Sequence, residues 1–111
     1  MPSNLLDNLP APIRQALNAA NQGDTDAFLN AFTETGAVDD WGREFRGHEA
    51  IRRWSDAEFI GKRVTIEVSG IKSAGDTTTV SSVVGGDGFN GVSDFEFTTA
   101  DDRITLMRIT G

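Results

Sequence analysis

The sequence predicts an α+β domain in which a curved, mixed or antiparallel sheet wraps into a cone around three helices. Three observations predict it. Apolar residues recur at helical spacing only before Gly61, they follow strand spacing from Val64 onward, and turn signals divide the second half into consecutive strands. Three amphipathic helices are just enough to cover the concave side of one strongly curved sheet.

From Leu9 to Asn21 the apolar set Ile13, Ala16, Leu17 and Ala20 lies on one helical face, with Pro10 and Pro12 suited to the first turn and Gln22-Gly23 to the end. Asp24 or Thr25 caps a second helix, expected to run to about Glu34 with Ala27, Phe28, Ala31 and Phe32 inward. Ala37 to Trp41 reads as a short strand and Gly42 to Arg46 as the turn after it. Gly47-His48-Glu49 opens a third helix that ends at Gly61, its inward positions Ala50, Ile51, Trp54, Ala57 and Glu58 or Phe59. Val64, Ile66 and Val68 then alternate with polar residues, and Ser69-Gly70 shifts the phase before Ile71, the mark of a bulge in a long strand. Asp76 turns the chain into the β-branched run Thr77 to Gly85. Gly85-Gly86-Asp87-Gly88 with Asn90-Gly91 makes a turn, and Val92 to Thr99 and Arg103 to Thr110 close the sheet around Ala100-Asp101-Asp102. Without a repeat or a linker, residues 1–111 are expected to form one domain with a radius of gyration of roughly 13 Å.

Charge and composition exclude several function classes. A net charge of −7 repels nucleic acid and acidic lipid. The absence of cysteine removes disulfides, thiolate metal sites and cysteine nucleophiles. The N-terminus lacks a basic start and no apolar run is long enough to span a membrane, so a soluble, cytoplasmic protein is expected. His48, the one histidine, reads as a solvated surface residue, and the pairs Asp39/Asp40 and Asp101/Asp102 lack ligand spacing, so no metal or other cofactor is expected.

A pocket is expected where helices and sheet diverge, lined by Trp41, Phe45, Trp54, Phe59, Phe95, Phe97 and Met107; the same side chains serve equally well as plain core. Ile104/Leu106 against Met107/Ile109 suggests a last strand apolar on both faces, hence a homodimer through the outer sheet face. Arg52, Arg53 and Arg63 read as solvated charges, and Arg108 as a partner of Asp94 or Glu96.

The ordered segments Leu17-Asn18-Ala19-Ala20-Asn21-Gln22-Gly23-Asp24, Phe32 to Asp40, Phe45-Arg46-Gly47-His48-Glu49-Ala50-Ile51 and Asp94-Phe95-Glu96-Phe97 with Asp102-Arg103-Ile104 resemble the nuclear transport factor 2-like superfamily. The nearest groups are the ketosteroid isomerase-like and SnoaL-like polyketide cyclase proteins, and the resemblance covers residues 10 to 110. It implies that Asp40, in Val38-Asp39-Asp40-Trp41, stands where the isomerases carry their proton-shuttling base. Desolvation beside Trp41, Phe45 and Trp54 would strengthen it in that role, while Asp39 points across the strand. An aspartate at a strand end is also a common turn acceptor.

The same resemblance withholds the rest of the isomerase device. There is no tyrosine; Ala16 falls at the tyrosine position and Ser93 at that of the second donor, with Asp94 one residue out of phase unless a bulge near Gly91 restores it. Steroid isomerisation is therefore disfavoured. The favoured reading is binding of a small apolar molecule, with Asp40 available for proton transfer. A cofactor-independent isomerase, cyclase or lyase with Asp40 as base and a non-catalytic dimerisation module are the alternatives.

Overall fold

The computed structural model describes residues 5–111; residues 1–4, which carry the start of the N-terminal stretch read above for targeting signals, lie outside it. After a short 3-10 turn, helix α1 spans Ala11–Gln22 and buries Ile13, Ala16, Leu17 and Ala20 as the periodicity requires. Gly23, at φ 72°, ends it in the left-handed conformation that glycine tolerates best. The Asp24 carboxylate accepts the Ala27 amide at 3.1 Å and caps α2, Thr25–Asn30.

Two expectations fail here, for related reasons. Helix α2 stops at Asn30, and β1 runs Phe32–Asp40. Phe28, Ala31 and Phe32 are all buried, which imitates a helical stripe, but the Ala31 carbonyl accepts the Ile104 amide at 2.8 Å and commits the chain to the sheet. Trp41 and Gly42, at φ 54° and 90°, form a tight two-residue hairpin, so Arg43–Arg46 is strand β2 rather than a turn. Its sequence, Arg-Glu-Phe-Arg, is that of a charged, short sheet edge and carries little strand signal.

Helix α3, His48–Glu58, buries Ile51, Trp54 and Ser55, while Ala57 faces outward against expectation. His48 is also not a solvated residue: half-buried, it donates from Nε2 to the Phe32 and Thr33 carbonyls at 3.2 and 3.1 Å, tying α3 to β1. The remaining strands, β3 Thr65–Ala74, β4 Thr77–Gly85, β5 Gly91–Ala100 and β6 Arg103–Thr110, follow the sequence closely. The register of β3 shifts between Val68 and Gly70, where the bulge was expected.

The six-stranded sheet has the order β2-β1-β6-β5-β4-β3, antiparallel throughout except for the parallel β1–β6 pair. The Cα radius of gyration is 12.6 Å. An irregularity opposite Thr98/Thr99 places an extra residue in β6, so Ile104, Met107 and Ile109 all face the core. That overturns the idea of a last strand apolar on both faces. The outer face is mainly polar, with Arg108 3.6 Å from Asp39 and 3.5 Å from Glu96 rather than near Asp94; its apolar content is the exposed pair Val83/Val92 and the half-buried Leu106. No helix of the described residues is long and apolar enough to cross a membrane.

Candidate functional site

Strand register assembles the site. Val38 is fully buried on the inner face of β1, so Asp40, two residues on, stands on the same face at the strand end. Asp40 pairs with Ile109 of β6, which pairs with Phe95 of β5, giving one inward row. Asp39 takes the opposite face, its Oδ1 accepting the Gly42 amide at 2.8 Å as part of the hairpin turn.

Between this row and the end of α3 lies a cavity of about 410 Å³. Its buried wall is Trp54, Phe59, Val64, Val84, Phe95 and Ile109, with the Ser93 hydroxyl added. Its rim is Asp40, Trp41, Arg43, Glu58, Lys62 and Phe89, of which Trp41 and Phe89 are 63% and 56% exposed. The aromatic wall is continuous with the core: Trp54 stacks on Phe59 at 4.8 Å between centroids, Phe59 lies 6.3 Å from Phe95, and Phe28 backs Phe59 at 5.5 Å.

Of the side chains expected to line a pocket, Trp41, Trp54, Phe59 and Phe95 do so. Phe97 and Met107 are instead fully buried core, opposite Thr78 and Val38. Phe45 lies behind the wall, 6.1 Å from Trp54, with the Arg43 guanidinium 5.5 Å above its ring. On β5, alternation sends Ser93 inward and Asp94 outward, opposite Ser81 and Thr110; no bulge near Gly91 reverses this. Ala16 is buried within the core and does not border the cavity.

Sequence reasoning missed the polar rim. Arg43 was assigned to a turn, yet its guanidinium grips Glu58 through both terminal nitrogens at 3.0 and 2.7 Å and reaches Asp40 Oδ2 at 2.6 Å. This fork joins β2, the end of α3 and the end of β1 at one point. Hydrogen bonding to Arg43 holds the Glu58 carboxyl below its ordinary range, and the same contact raises the already high value of Arg43. Trp54 Nε1 donates to the same Asp40 oxygen at 3.0 Å. Asp40 Oδ2 thus has two donors, and no described side chain or amide donates to Oδ1. Asp40 stands beside Trp54 as the sequence suggested, and it also has hydrogen-bond donors on one side, which the sequence did not suggest. Ser93 gives its proton to the Thr110 carbonyl at 2.9 Å. Arg52 and Arg63 make surface ion pairs with Asp26 and Asp87 at 2.8 and 3.1 Å, and Arg53 pairs with Glu49; none lines the cavity.

A second hollow, about 620 Å³, lies against Leu5, Leu6, Asn21 and the start of β3. Among the described residues that line it there is no aromatic side chain, and Glu67 is the one charged group. Asn21 is engaged there with the sheet edge, accepting the Ile66 amide at 2.6 Å and donating to the Ile66 carbonyl at 3.0 Å.

The fold has close relatives among solved structures. A protein of Sinorhizobium meliloti, provisionally assigned as a polyketide cyclase, is 28% identical and superposes with a TM-score of 0.85 over 95% of this chain and 98% of its own. A protein with a ketosteroid isomerase-like fold from Catenulispora acidiphila, in complex with trimethylamine, is 23% identical with a TM-score of 0.77, covering 92% and 85% of the two chains. A cystatin-fold protein of Novosphingobium aromaticivorans, 13% identical, reaches 0.79 over 99% and 100%. No curated protein matches the sequence. The SnoaL-like domain family matches residues 13–107, nearly the whole of the described fold, and the chain belongs to this family within the nuclear transport factor 2-like superfamily.

Proposed function

We propose that the domain binds a small, largely apolar molecule in the 410 Å³ cavity, with Asp40 meeting its polar group. One observation carries this reading: six buried apolar side chains enclose a hollow whose only partly buried charge is the Asp40 carboxylate, 15% exposed. Such a combination, an apolar wall with few placed polar groups, is the usual composition of a small-molecule site. Fold relatives at 23%, 17% and 19% identity hold trimethylamine, serve as a designed binder of 17-OHP, and bind canthaxanthin. The test is titration with ethylnaphthalene followed by amide NMR shifts. Saturable shifts are expected at Val64, Val84 and Phe95, and Val84→Trp, which fills the cavity, should abolish them while keeping the fold. Saturable binding that survives Val84→Trp refutes the reading.

A second reading, proton transfer by Asp40, is favoured by the open Oδ1. Steroid-type enolate stabilisation is not, because Ala16 and the committed Ser93 hydroxyl leave no buried donor to receive an oxyanion. A homodimer through the outer face is a separate proposal, supported by Val83, Val92 and Leu106 alone; sedimentation equilibrium of wild type and Val92→Lys tests it.

A further inference from the structure

The hydrogen-bonding inventory of the cavity is one-sided. Of the side chains on its buried wall, only Trp54 and Ser93 carry an N–H or O–H, and both are committed, to Asp40 Oδ2 at 3.0 Å and to the Thr110 carbonyl at 2.9 Å. The other donors around the cavity, the side chains of Trp41, Lys62 and Arg43 and the backbone amides of Gly88 and Phe89, belong to exposed rim residues in contact with water. What the cavity offers inward is acceptors: Asp40 Oδ1 and the lone pairs of Ser93 Oγ. A ligand carbonyl buried there would lose water and gain no donor, a desolvation cost that an O–H or N–H would not incur. The formal charges of the rim balance, Asp40 and Glu58 against Arg43 and Lys62, but Asp40 is the least exposed of them, so the charge nearest the buried wall is an acceptor.

We infer that the ligand is an apolar molecule bearing a hydrogen-bond donor, an alcohol, phenol or amine, which gives its proton to Asp40 Oδ1. The inference rests on the cavity reading above and goes beyond it by naming the functional group. It inverts the polarity that a ketone-binding site in this fold would need.

Four probes on one skeleton test it: naphthylethanol, naphthylethylamine, naphthyl methyl ketone and ethylnaphthalene, titrated by calorimetry and amide NMR. The alcohol and amine should each bind on the order of tenfold or more tightly than the ketone, as a hydrogen bond to a charged acceptor implies. In Asp40→Asn the amide oxygen takes over the donors from Trp54 and Arg43 and its NH₂ faces the ligand, so the ketone should gain and the alcohol lose; Asp40→Ala should erase the preference. A ketone that binds wild type as well as the alcohol does overturns the inference and leaves the cavity reading intact. Tight binding of the amine alone also overturns it, in favour of attraction by the acidic surface. Failure of all four probes overturns the cavity reading and the inference together. Should either variant not fold, the wild-type series still decides.

Discussion

Trp54 is 3% exposed and its indole N–H meets Asp40 at 3.0 Å, which allows the site's central contact to be measured as a stability coupling. Replacing Trp54 by Phe removes the donor and part of the wall while keeping an aromatic ring against Phe59. A hydrogen bond to a charged acceptor is worth about 1.5–3 kcal/mol, and the smaller ring adds a packing loss of roughly 1 kcal/mol. The sum, about 2.5–4 kcal/mol, corresponds in a domain of this length to a drop in Tm of roughly 10–16 °C. Packing loss alone could produce part of that, so the informative quantity is the double-mutant cycle with Asp40→Ala. If the contact exists, the two substitutions together cost less than their sum by about 1.5–3 kcal/mol in urea denaturation. A coupling below about 0.5 kcal/mol would mean that Trp54 and Asp40 do not interact, and the geometry assigned to the rim would be wrong.

Three further outcomes follow from the same structure. Because Arg43 depresses the Glu58 carboxyl in the folded state, the stability from that pair is full above the unfolded value near 4.5 and is lost as pH falls through the lower folded value. The difference in Tm between wild type and Arg43→Met should therefore narrow steadily below about pH 4.5, and a constant difference down to pH 2 would contradict the pairing. Asp24→Ala removes the cap of α2 and should cost about 1 kcal/mol by urea titration, with Asp24→Asn recovering most of it. Gly36→Ala would push a methyl group to 2.9 Å from the Ile104 carbonyl at the irregular point of the β1–β6 pairing, and should destabilise by about 1–3 kcal/mol although alanine itself suits a strand better than glycine.

Elements whose pattern was set by local chemistry were legible in the sequence. Helix α1 had an unbroken stripe and a glycine stop, and β4 to β6 had β-branched alternation between turn residues. The misreadings fell where tertiary contacts override local signal. Phe28, Ala31 and Phe32 kept helical spacing across a helix-to-strand boundary that only the Ile104 amide fixes, and β2 is strand only because β1 lies beside it. The extra residue in β6, which turns Ile104 to the same side as Met107 and Ile109, leaves no mark in a run of apolar and polar residues without glycine or proline.

The site was half legible for the same reason. Alternation from Val38 placed Asp40 on the inner face, and from Phe95 and Phe97 it placed Ser93 there in preference to Asp94. Family resemblance directed attention to Asp40 but said nothing of its partners here. Arg43 and Glu58 are fifteen positions apart in the chain and look like ordinary surface charges until the hairpin at Trp41-Gly42 and the last turn of α3 bring them together. Aromatic residues gave the weakest guidance, because Phe59 and Phe95 on the wall cannot be told by composition from Phe97 in the core.

The most direct measurement is the set of intermolecular NOEs from bound naphthylethanol to assigned methyl and aromatic protons. Contacts are expected to the Val64, Val84 and Ile109 methyls and to the Phe95 ring, with the hydroxyl-bearing carbon nearest the end of β1. Contacts confined to Leu5, Leu6 and Val68 in the second hollow, or to Val83 and Val92 on the outer sheet face, would contradict the cavity reading.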